Sequence, residues 1–287
     1  MSLLWGGTFL ATKTVSHYVT PFQGAFLRFV IASVGLIVVF IFSKQRFPKW
    51  SIRGFLLNIL MSFSGIIAYN YFFFSALTLL PASRASLLVS INPTIIFLLS
   101  VIFYNEKITF VKTIGVMLSL FGAVVVISRG DVTHLFDSFG RGELFALGCP
   151  VSWAIYSLLN KQLTGSQTPL FTTLMASVIG MICLLPLAQN DGLYFTNLPI
   201  SAWYCLSYLG LAGTVLGFVW YAEGIETIGI VQTSIFNNLV PVFGVSLSVL
   251  ILQEEVSWSV LFGGLIVIIG IALVNFGHLV LGNFEKK

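Results

Sequence analysis

The chain has 287 residues, 57 % hydrophobic and 8 % charged, with mean hydropathy +0.99 and net charge +4. A water-soluble domain carries roughly 25 % charged residues, so this chain cannot clothe itself for water and the bilayer must be its solvent. Long uncharged runs of about 20 residues then select spanning helices over the short alternating strands of a barrel, and nothing in the composition invites a nucleic acid.

Turn residues and charges divide the chain into ten apolar segments, near 2–17, 21–43, 54–78, 81–104, 109–128, 142–162, 168–188, 200–221, 229–252 and 257–281. The first is short for a span and lacks the basic start and cleavage site of a signal peptide. It reads as a first transmembrane helix whose natural start is expected upstream of Met1. Trp5, Thr8 and Thr12 share one stripe of it, followed by Lys13. The second segment holds Arg28 about two turns in, where a protein partner or snorkelling is expected rather than substrate. In the third, Asn58, Ser62, Gly65 and Tyr69 share a face.

The fourth segment places Ser83, Ser86, Ser90 and Pro93 at steps of three, four and three, on one helical face. Pro93 removes a backbone donor and frees a carbonyl about one turn earlier. In lipid that carbonyl must meet protein or water, so this face is read as cavity lining, against the simpler reading of a packed kink. The sixth segment carries Trp153, Tyr156 and Asn160, then Lys161. The eighth carries Gly210, Gly213, Gly217 and Tyr221, with Thr214 and Trp220. The ninth repeats the serine–proline design with Ser234, Asn238 and Pro241. Gly115 and Gly122 in the fifth segment, and Gly263 and Gly270 in the tenth, suit close helix packing.

These parallels are a repeat. Shifted by 148 residues, Ser86, Pro93, Leu99, Ser100, Val101, Glu106, Gly115, Gly122 and Val126 fall on Ser234, Pro241, Leu247, Ser248, Val249, Glu254, Gly263, Gly270 and Val274. The same shift carries Trp5 onto Trp153, Lys13 onto Lys161 and Gly65 onto Gly213. Two five-helix units are expected, residues 1–138 and 139–287. Five is odd, so the second unit enters the membrane from the opposite face. The expected fold is an all-α membrane protein of ten transmembrane helices in two inverted repeats, with a substrate site near the midplane between them.

Lys44, Arg46, Lys49, Arg53, Lys107, Lys112, Lys161, Lys286 and Lys287 crowd one side. Lys13, Arg84, Arg129 and Arg141 face the other. The positive-inside rule then puts both termini in the cytoplasm. Glu106 and Glu254, just before the fifth and tenth segments, are read as helix-end caps. No Asp or Glu stands at mid-membrane, which disfavours a carboxylate proton relay; Glu223, near the end of the eighth segment, is the acid left for coupling.

Cys149, Cys183 and Cys205 are scattered, and no nucleotide-binding, metal-ligand or hydrolase motif occurs. Neither cofactor, metal nor enzymatic activity is expected.

"LLWGGTFLATK" at 3–13, "LRFVIAS" at 27–33, and the two stretches "FYNEKITFVKTIGVMLSLFGAVVV" and "ILQEEVSWSVLFGGLIVIIGIALV" resemble the EamA-like ten-helix exporters of the drug/metabolite transporter superfamily. The resemblance implies a central cavity lined by the first, third, fourth, sixth, eighth and ninth helices, and export of small metabolites, often amino acids. The candidate lining is Trp5, Thr8, Thr12, Ser62, Tyr69, Ser83, Ser86, Ser90, Trp153, Tyr156, Asn160, Thr214, Tyr221, Ser234 and Asn238, with Pro93 and Pro241 as kinks. The expected protein is a monomeric secondary transporter of the bacterial inner membrane, moving a neutral or aromatic amino acid outward by alternating access. A facilitator or exchanger of a sugar, nucleoside or cationic drug is the alternative, and a non-transporting scaffold the remote one.

Overall fold

The computed structural model describes residues 1–49, 51–105, 108–128, 139–192 and 198–281. Of the residues singled out above, Glu106, Lys107, Arg129, Lys286, Lys287, the boundary at 138/139 and the side chain of Val274 lie outside the described set.

Helices run through every apolar segment: α1 Ser2–Val15, α2 Pro21–Phe42, α3 Ile52–Leu79, α4 Ala82–Tyr104, α5 Phe110–Ser128, α6 Arg141–Leu163, α7 Pro169–Asn190, α8 Ile200–Ile228, α9 Ile230–Leu252 and α10 Trp258–Leu281. Seven of them (α2, α3, α4, α6, α7, α8 and α9) are long and apolar enough to cross a bilayer. Their outward faces carry exposed large apolar side chains such as Ile41, Phe42, Phe103 and Leu250, as a lipid-facing surface requires.

Local features recur 148 residues apart. Thr20 and Thr168 cap α2 and α7, each accepting a bond from the backbone three residues on, and each is followed by a proline, the preferred first helical residue. α3 widens into a π-helical stretch at Ser62–Ala68, and α8 does so at Tyr208–Leu216. α4 is broken by a turn at Ser90–Ile91, and α9 by a 3₁₀ turn at Phe236–Asn238. α4 and α9 each end on a left-handed residue, Asn105 and Gln253.

α5 and α10 pack antiparallel. A side chain at Gly122 would collide with the Gly263 carbonyl and Val267 amide, and one at Gly270 with the Gly115 carbonyl and Ser119. The glycines let the two backbones touch. Where α1, α3, α4, α6 and α10 meet at one end, charges close the helix termini. The Lys13 ammonium donates to the carbonyls of Leu77 and Leu80, both at 2.9 Å, satisfying the last turn of α3. Glu254 caps α4 rather than the α10 it precedes. The 253–257 connector swings it across, so its carboxylate meets the free N–H groups of a neighbouring helix. Arg84 pairs with Glu143 at 3.0 Å, both side chains nearly buried.

Candidate functional site

The interrupted helices converge on a cavity. It holds about 520 Å³ of empty space, counting what opens to solvent. α1 contributes Trp5, Thr8 and Phe9; α3 contributes Tyr69 and Phe73. Ser86, Val89, Ser90 and Asn92 come from the break in α4, Trp153 from α6, Phe218 from α8, and Asn237 and Val240 from the break in α9. Arg28 of α2 completes the wall.

Aromatic rings make the floor. Trp153 stacks on Tyr156 with centroids 4.8 Å apart and meets Phe218 edge-on at 4.9 Å. Trp5 meets Trp153 edge-on at 5.2 Å and donates its indole N–H to the Gly213 carbonyl at 2.9 Å. That carbonyl belongs to the π-helical stretch of α8, whose wider turn displaces carbonyls from the regular ladder. The Ser86 and Ser90 hydroxyls donate to the carbonyls of Ser83 and Leu87, which leaves their lone pairs for an incoming group.

Of the sequence candidates, the cavity gathers Trp5, Thr8, Tyr69, Ser86, Ser90 and Trp153. The others stand behind or away from it. Tyr156 supports Trp153 from below, and Tyr221 packs on Trp5 while sharing a 2.8 Å hydrogen bond with Ser157. Ser62 reaches the Asn58 and Ala176 carbonyls, in the α3–α7 seam. Ser83 donates to Glu254 at 2.7 Å. Ser234 bonds back to the Val231 carbonyl. Thr12, Asn160 and Asn238 are buried between helices. Pro93 opens the second half of α4 just past its break. Pro241 falls in the first turn of the second half of α9 and lines a separate apolar groove.

Thr214 is an acceptor. Its hydroxyl takes the Arg28 Nε–H at 2.9 Å and donates to the Leu209 carbonyl. Asn70 Oδ1 takes Arg28 Nη1–H at 3.0 Å. The protein partner expected for Arg28 is therefore present and neutral. Sequence reading passed over Asn92 and Asn237. Asn237 is the repeat mate of Val89, and Asn92 of Val240. A lone Asn among apolar residues was the available signal. Lys161 lies with its ammonium 4.0 Å from the Tyr104 ring centroid. Glu223 is exposed. No His/Cys/Asp/Glu cluster fit for a metal occurs among the described residues.

Membrane-length helices around a polar–aromatic cavity define a multi-pass membrane protein. Comparison with known proteins narrows this class. The chain belongs to the EamA-like transporter family, whose model matches it twice, over residues 1–128 and 140–276. It is thus a membrane transporter of the drug/metabolite type. It is 28 % identical to the "Uncharacterized transporter YyaM" of Bacillus subtilis, over 94 % of this chain and 89 % of that one. A "Probable terminal-alkyne amino-acid exporter" of Streptantibioticus cattleyicolor is 27 % identical, over 86 % of this chain and 82 % of that one. A crystal structure at 22 % identity shares the fold, with TM-score 0.70 over 99 % of this chain and 95 % of the other.

Proposed function

We propose that this protein is a secondary transporter of the bacterial inner membrane that exports a small neutral or zwitterionic metabolite, an amino acid by preference, through alternating access. The carrying observation is the cavity lined by Trp5, Ser86, Ser90 and Trp153, placed where the breaks of α4 and α9 meet. Discontinuous helices at matching repeat positions are where transporters of this design hold substrate. The aromatic floor suits an apolar side chain, and the name of the Streptantibioticus relative supports amino-acid export.

Ten spans in two inverted repeats, with both termini cytoplasmic, form part of the same reading. The antiparallel α5–α10 contact supports it. Gly115 meets the repeat mate of Gly122, and Gly122 the mate of Gly115, the reciprocal pattern of a two-fold relation. Two such units can exchange roles, one open inward while the other opens outward.

The test is flux in proteoliposomes loaded with labelled amino acids, sugars and nucleosides, with and without a pH gradient. Efflux of amino acids, with counterflow when no gradient is applied, is the expected result. Absence of flux for every solute would remove the proposal. Thiol tags on the 43–53 and 189–199 connectors should label from opposite sides; labelling from one side would remove the inverted topology.

A further inference from the structure

The cavity carries one fixed positive charge and, among the described residues, no negative one. Arg28 is 2 % exposed, in the wall of the cavity, about 10 Å below the start of α2 at 1.5 Å per residue. Thr214 and Asn70 take two of its five donors, and both partners are neutral. The rings of Phe29 and Phe218 lie 5.6 and 5.8 Å from the guanidinium carbon. Arginine keeps its proton in a protein. A charge at this depth is costly unless it is matched, and no acidic side chain among the described residues pairs with it; the described ion pair, Arg84–Glu143, is at the end of the bundle.

We infer that Arg28 is the anchor for a substrate carboxylate. The claim rests on the transport reading above and deepens it. Thr214 and Asn70 fix the guanidinium plane from the π-helical region of α8 and from α3, and its remaining donors are left for a planar two-oxygen acceptor. A single cation neutralises a monocarboxylate, whereas a phosphate dianion would bring an unmatched negative charge into the low-dielectric interior. Further along the wall, Asn92 Oδ1 and both amide atoms of Asn237 are buried without a partner. The two Oδ1 acceptors, with the faces of Trp5 and Trp153, suit an α-ammonium. Cationic drugs are repelled by the same charge.

The test is equilibrium binding to the full chain in lipid nanodiscs, read by tryptophan fluorescence. The probes are L-phenylalanine, 3-phenylpropionate, L-phenylalaninamide and phenyl phosphate. Wild type should bind the two carboxylates at least tenfold more tightly than the amide or the phosphate. R28M should abolish that ranking, and R28K should keep it in weakened form. Equal binding of amide and acid, preference for the phosphate, or an intact ranking in R28M would overturn the anchor. The wild-type ranking needs no variant, so it decides even if R28M does not fold. Wild type that binds no carboxylate yet moves another solute in proteoliposomes sinks the anchor alone; a protein that neither binds nor moves any solute sinks the transport reading with it.

Discussion

Trp5 and Trp153 hold the same place in the 148-residue repeat, and they touch, ring centroids 5.2 Å apart with planes at 84°. A residue that meets its own mate lies near the axis relating two copies. Two further mate pairs line the same cavity: Val89 with Asn237, and Asn92 with Val240. In each, one member is polar and the other apolar. The two halves of the wall thus differ in chemistry while sharing a backbone plan.

The two tryptophans should not be equivalent to mutation. Trp153 is 3 % exposed and ringed by Tyr69, Tyr156, Phe218 and Tyr221 at 4.8–5.4 Å. Trp153→Ala should cost about 3–5 kcal/mol. Trp5→Phe keeps the ring contacts and loses chiefly the bond to Gly213, about 1 kcal/mol. Thermal unfolding in detergent reads the difference, and equal losses would contradict the packing described.

Glu254 should matter to stability although it is remote from the cavity. Its Oε1 accepts the Ala82 N–H at 2.7 Å; its Oε2 accepts the Ser83 N–H at 2.9 Å and the Ser83 hydroxyl at 2.7 Å. Glu254→Gln keeps the size and loses the charge at a helix N-terminus. About 1–2 kcal/mol should be lost, seen as a lower unfolding temperature. Ser83→Ala, which removes one of the three bonds, should show a smaller drop.

Lys13 and Lys161 are mates in different settings, one on the last carbonyls of α3, the other over Tyr104. Under alternating access the first arrangement belongs to a closed end and the second to the end that closes next. Lys13→Met removes two charge-assisted bonds and should favour opening at the α1 C-terminal end by about 1–2 kcal/mol, roughly 5- to 30-fold in population. A Ser90→Cys probe, with Cys149, Cys183 and Cys205 replaced, should then react faster with an impermeant reagent from that side. Lys161→Met should not raise that rate; equal effects would break the link between these lysines and gating.

The α5–α10 contact predicts a strict size limit. A Cβ at Gly270 would stand 2.6 Å from the Gly115 carbonyl oxygen and 2.9 Å from the Ser119 Cα. Backbone atoms cannot step aside as a side chain can, so Gly270→Ala should cost about 1–3 kcal/mol and reduce the yield of folded protein. At Gly35 the added Cβ meets only methyl groups of Leu211 and Val215, at 3.0 and 3.1 Å. Gly35→Ala is the control expected to fold.

Much of this architecture was legible because lipid permits few solutions. Uncharged runs gave the helices, and Pro93 and Pro241 marked the two breaks. Register within the breaks was not legible. A regular 100° step puts Asn238 on the face of Ser234, but the 3₁₀ turn at Phe236–Asn238 advances about 120° per residue and brings Asn237 to the cavity instead. The π-helical stretches left no mark in the pattern, since they differ from an α-helix by one residue per turn. Without them the pairing of Arg28 with Thr214 could not be foreseen. Glu254 was read as a cap, yet its helix could be named only once the 253–257 connector was seen to cross to α4.

That phase shift yields the sharpest test of the site. Ser90 and Asn237 line the cavity, whereas Asn238 is buried behind it. Leucine at 90 or 237 places an apolar branch where polar atoms now stand, and should reduce flux at least tenfold with folding retained. Leucine at 238 enters helix packing, so its effect should appear in stability first, with flux per folded molecule changed less than threefold. Transport in proteoliposomes, normalised to monodisperse protein, separates the two. Loss of flux in Asn238→Leu with Asn237→Leu unaffected would show that α9 continues as a regular helix through its break during transport, with Ser234 and Asn238 presented to the substrate as one face.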